Sequence, residues 1–83
     1  MPADVQDGWV IVPYEGDEML PAYLSLAGTG APAVWLPAFL DYAEDGSRVA
    51  KIRVPAGAPP FAAVWVRTGA DGPGTPAGRV RIT

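Results

Sequence analysis

Asp41, Glu44 and Asp45 place three carboxylates within five residues, the hard oxygen donors that a calcium ion prefers. Their spacing does not follow the EF-hand loop, so they read as a solvated hairpin tip and no metal is assigned. Lys51 is the single lysine and the one side-chain amine able to form a Schiff base. It falls at an outward position of a strand pattern, where it reads as a solvated charge. Ser25 and Ser47 have no activating base, because the chain contains neither His nor Cys. The same absence removes Cys–His pairs, disulfides and thiolate or imidazole zinc sites. Gly28-Thr29-Gly30 lacks the further glycine and the helix start of a phosphate loop. The expectation is a protein with no catalytic residues, no cofactor and no metal.

Charge is the more informative pattern. Residues 1–47 carry eight acidic side chains and no Lys or Arg; residues 48–83 carry six basic side chains and one acid, Asp71. The two stretches are therefore −8 and +5, which sum to the net −3. Such separation implies that the two halves, or neighbouring copies, attract each other.

The elements that position these charges read as β-strands, β-branched and aromatic runs divided by Gly/Pro clusters. Strands are expected at Trp9–Val12, Met19–Leu26, Arg48–Val54, Phe61–Arg67 and Arg79–Thr83. Residues 33–43 fit either a strand or a short helix begun at Pro37; strand is preferred, because Glu44-Asp45-Gly46 suits a three-residue hairpin loop with a left-handed glycine. A long loop is expected from Gly69 to Gly78. The fold class is all-β: a compact antiparallel sandwich or small barrel of about six strands. Residues 1–8 form an acidic N-terminal arm and residues 9–83 a single β-domain.

On these strands the basic residues alternate with apolar ones. Lys51 and Arg53 oppose Ile52 and Val54; Arg79 and Arg81 oppose Val80 and Ile82; Arg67 shares a face with Trp65. Were the three strands neighbours in one sheet, the outer face would be a basic stripe around Trp65. Solvation of an outward face accounts for such a pattern, and so does an interface. Read as an interface, it comprises Lys51, Arg53, Trp65, Arg67, Arg79 and Arg81, with Asp4, Asp7 and Trp9 on or beside the arm. Trp35 is expected in the core, whereas Trp9 and Trp65, near strand ends or charges, include a candidate for exposure.

A chain of 83 residues buries only about 60% of its unfolded surface, so association is an expected source of stability. The net negative charge argues against nucleic acid, which demands many basic contacts. The N-terminus lacks the basic and apolar regions of a signal peptide, and no apolar run approaches a membrane span. Synthesis in the cytoplasm without membrane insertion is expected. In overall character, Cys-free and rich in Ala, Gly and Pro, the chain resembles the small β-domains that decorate or cement phage capsids. That resemblance implies binding to a coat lattice, often as trimers or at symmetry positions, and residence in a virion or other large particle. It carries over no functional residue. The partner is then a protein assembly, either a lattice or further copies of the chain as a homo-oligomer. A carbohydrate-binding or fibre-type module using exposed Trp and Tyr is the alternative.

Overall fold

The computed structural model describes residues 3–28, 30, 32 and 34–82. Met1 and Pro2 of the expected arm, Thr29 and Ala31 of the expected chain break, and Ala33 and Thr83 of expected strands lie outside the described residues. Among the described residues, seven strands form one antiparallel sheet: β1 (Asp4–Gln6), β2 (Trp9–Pro13), β3 (Ala22–Ala27), β4 (Leu36–Tyr42), β5 (Arg48–Arg53), β6 (Phe61–Thr68) and β7 (Thr75–Arg81). Their order is β1-β2-β5-β4-β3-β6-β7. The Ala3 amide donates to the Ala77 carbonyl at 3.0 Å, bringing the two edges together into a nearly closed barrel. β3, β4 and β5 are consecutive neighbours while β2 crosses to lie beside β5, a Greek-key connection.

The expected arm holds the first strand. Asp4, Val5 and Gln6 pair with Ile11, Val10 and Trp9, and Asp7-Gly8 makes the two-residue turn, both with positive φ (53° and 81°). That is the primed hairpin turn whose twist matches its strands, and Asp-Gly is among its preferred pairs. Glu44-Asp45-Gly46 behaves as expected: Gly46 has φ 87°, and the Ala43 amide donates to Ser47 O at 2.8 Å. Residues 36–42 are strand, not helix.

Several strand boundaries differ from expectation. β3 begins at Ala22, because Asp17 Oδ1 accepts from the Met19 amide at 2.8 Å and holds the preceding residues in a turn. β7 begins at Thr75, well inside the expected loop; it pairs along β6 with a register shift at Val64/Trp65. Pro76 sits beside that irregularity, where a residue without an N–H is tolerated. Finally, β7 pairs within the chain, Arg81 opposite Phe61.

The interior is built from small and medium side chains. Val10, Val12, Leu24, Ala50 and Val64 are fully buried, with Ala22, Ile52, Ala62 and Val80 close to it. Tyr14, 4% exposed, closes one end, its hydroxyl 3.1 Å from both Asp17 O and Thr68 Oγ1. Trp35, expected in the core, is instead on the outer surface, since the layers of Ala and Val leave no room for an indole.

The registers define two ends. Segments 14–21, 43–47 and 69–74 join strands at one end; Asp7-Gly8, 28–35 and 54–60 join them at the other.

Leu24→Ala should cost about 2–5 kcal/mol, the usual range for a buried leucine. Gly8→Ala should cost about 1 kcal/mol, by placing a Cβ on left-handed backbone. For a domain this size each kcal/mol lowers Tm by roughly 4–8 °C, so thermal unfolding resolves both. An unchanged Tm in Gly8→Ala would show that the β1–β2 turn does not hold the closing strand.

Candidate functional site

The outer face of β2, β5 and β4 gathers the strongest set of exposed recognition groups. Period-two alternation sends Val10, Val12, Ala50 and Ile52 inward, and so Trp9, Ile11, Lys51, Arg53, Phe39 and Asp41 outward. Register then sets the neighbours: Trp9 faces Arg53, Ile11 faces Lys51, and Lys51 in turn faces Phe39. The Trp9 ring reaches across β5. Arg53 Cζ lies 4.3 Å and Lys51 Nζ 4.7 Å from its centroid, and the Phe39 ring meets it at 5.9 Å and 81°, edge to face. Lys51 Nζ also donates to Asp41 Oδ2 at 2.8 Å.

These contacts orient the ring more than they stabilise the fold. An exposed ion pair contributes about 0–1 kcal/mol and an exposed cation–π contact about 0.5–1 kcal/mol. Phe39 remains 63% exposed, although full burial of such a side chain is worth roughly 1.5–3 kcal/mol. That gain is left for whatever covers the face.

Two carboxylates border it. The Lys51 ammonium holds the Asp41 carboxyl below its usual range, chiefly by hydrogen bonding, with the Tyr42 amide contributing. Asp4 lies beside Ile11 on β1; its carboxyl is lowered by the Gln6 side-chain amide and then by the Val5 backbone amide. The acidic arm thus edges this chain's own aromatic–cation face as its first strand.

The expected basic stripe is divided. β5 and β6 are separated by β4 and β3, so Lys51 and Arg53 do not share a face with Trp65. Arg67 lies instead on β6 opposite Tyr23, its Cζ 5.0 Å from the Tyr23 ring and 4.6 Å from the Trp35 ring. Trp65, half-buried, pairs with Ser25 and Pro76. In this second cluster Ser25 Oγ, Trp65 Nε1 and Arg67 Nε are buried without a hydrogen-bond partner. Arg79 and Arg81 project from the last residues of β7, Arg81 over the Phe61 ring at 5.4 Å. Asp7 sits in the β1–β2 turn, at the end where Arg53 and Arg81 also lie.

Of the nine expected interface residues, the fold therefore brings Asp4, Trp9, Lys51 and Arg53 together, sets Trp65 and Arg67 in the second cluster on β6, and leaves Asp7, Arg79 and Arg81 outside both. Phe39 and Asp41 belong with the first set. The signal for Phe39 was an apolar residue on the second face of a strand whose first face was already apolar.

Among the described residues, no three acidic side chains are placed to hold a metal ion, and no helix is long and apolar enough to cross a membrane. Comparison of the chain with protein-family models, curated proteins and solved structures finds no match.

Replacing Lys51 by Met should raise the Asp41 pKa toward 3.8, its ordinary value. A depressed folded-state pKa adds stability that is present above the unfolded value and lost as pH falls through the folded one. The stability difference between wild type and Lys51→Met should therefore shrink as the solution is acidified below about pH 4. Side-chain carboxyl NMR reads the titration directly; an Asp41 midpoint indifferent to Lys51 would remove the pair from the site.

Proposed function

We propose that this barrel is a non-enzymatic interaction module that binds and stabilises a larger assembly, as a virion decoration or accessory protein does. The observation that carries this reading is the face of β2, β5 and β4: an indole engaged by two cations, beside a largely exposed phenylalanine. Trp and Arg are the residue types that most often dominate binding energy, when centred in a patch and covered by a partner. Lys51 and Arg53 give that patch a positive field that selects a complementary surface and speeds encounter. A strand face on a nearly closed barrel also presents them rigidly, so that little ordering entropy is lost on binding.

The second reading, a carbohydrate-binding module, is favoured by the same observation, because Trp9 and Phe39 share one exposed face. Their 81° angle counts against it. Two rings that lie edge to face do not make a flat platform for a sugar, and the Trp9 ring is already engaged by cations.

The double variant Phe39→Ser/Lys51→Glu changes only outward side chains and should unfold within a few degrees of wild type. In gradient sedimentation of the native lysate, wild-type protein should travel with a heavy particle and the double variant should stay at the top. Wild-type protein travelling as a free chain would overturn the proposal. Retention on an immobilised oligosaccharide panel, lost in Trp9→Ala, would establish the second reading in its place.

A further inference from the structure

The two ends of the barrel are opposite in charge. Six of the nine acidic residues lie in the three segments at one end: Glu15, Asp17 and Glu18 in 14–21, Glu44 and Asp45 in 43–47, and Asp71 in 69–74. Arg48, the first residue of β5, borders these segments and is engaged there: it donates to Gly16 O at 2.9 Å and lies 3.9 Å from Glu18. At the opposite end β5 finishes in Arg53 and β7 in Arg79 and Arg81, with Asp7 the sole acid among the described residues there. The separation along the sequence has become a separation along the barrel.

Exposed apolar side chains follow the same division. Among the described residues, seven large hydrophobic side chains are exposed. Phe39 belongs to the side face already described. Met19, Leu20, Leu40 and Tyr42 lie toward the acidic end, Val34 and Phe61 toward the basic end. The acidic end also holds a cleft of about 490 Å³, walled by Pro13, Tyr14, Glu15, Val66 and Pro76. Arg67, the cation lining it, is engaged with Tyr23 and Trp35. At the basic end Phe61 is 61% exposed, with the Arg81 guanidinium against its ring.

We infer that copies of this chain associate head to tail, the exposed Phe61–Arg81 pair of one copy meeting the Glu15-walled cleft of the next. The occupant is a second copy because the chain itself supplies both halves of the match. An acid-to-acid or base-to-base contact would set like charges together, whereas head-to-tail stacking opposes the six acids to Arg79 and Arg81 at the end of β7. The range of the field permits this despite the net charge. The barrel measures 30 × 29 × 20 Å, while the Debye length is about 10 Å at 0.1 M salt. Charges across the junction lie within that length and are only partly screened, whereas like charges at the far ends are largely screened. A contact between two different surfaces is heterologous, so it extends into rings or filaments instead of stopping at a dimer. This junction uses the ends of the barrel and leaves the β2–β5–β4 face free, so it stands or falls separately from the proposed function.

Mass in solution tests it, by sedimentation equilibrium from about 1 µM to about 1 mM protein, a range spanning ordinary weak affinities. Wild-type protein should exceed the mass of one chain at about 0.1 M salt and fall to that mass near 1 M, where the Debye length is about 3 Å. Two variants each alter one end at outward positions: Glu15→Lys/Glu44→Lys and Arg79→Glu/Arg81→Glu. Each alone should stay monomeric, with wild-type circular dichroism. Mixed in equal amounts they should form a one-to-one dimer, because each brings the intact end that the other lacks. Wild-type protein monomeric throughout at low salt overturns the inference. Self-association in wild type with no dimer in the mixture overturns it as well, since that result means a symmetric contact.

Discussion

The structure depends on how little room a small, nearly closed barrel has inside. Seven strands, the first only three residues long, enclose layers of Ala and Val with one fully buried leucine. Large side chains that would make the core of a broader sandwich are excluded from such an interior. Trp9, Trp35 and Trp65 are therefore all on the outer surface, where each meets a cation, a glycine or a neighbouring strand. Outward aromatics are a consequence of closure before they are a feature of recognition. Once placed there, they are fixed in position by strands that cannot shift without opening the barrel.

Connectivity then decides which outward groups meet. The crossover that puts β2 beside β5 gives Trp9 two cations and a phenylalanine. The same crossover puts β4 and β3 between β5 and β6, and so divides the basic residues into sets with different surroundings. Strict alternation of strand direction has a further effect. Successive connections fall at opposite ends, so the acidic segments 14–21 and 43–47, far apart in sequence, come together with 69–74.

Much of the local structure was legible. The alternation of Lys51 and Arg53 with Ile52, and of Arg79 and Arg81 with Val80, gave the correct inward and outward faces because period two is a property of one strand. Gly46 was legible because only the hairpin loop needed φ > 0 there. Asp7-Gly8 carried the same kind of signal, and an acidic segment that looked like an arm was in fact a strand and its turn. Thr75–Gly78 was not legible: Thr-Pro-Ala-Gly has little strand propensity, and its pairing is supplied by β6 and by the barrel's need for a closing edge.

By itself the sequence determined the all-β class, the sense in which most strands turn their faces, the glycine of the second hairpin and the segregation of charge between two halves of the chain. These follow from local rules of backbone geometry and from composition. The tertiary structure alone decided that Trp35 lies outside, that the basic residues form no single stripe, and that Trp9, Phe39, Lys51 and Arg53 stand together. The reason is that a strand's alternation fixes its two faces but not its neighbours. Neighbours are chosen by pairings between distant segments under the constraint that the sheet must close on a small core.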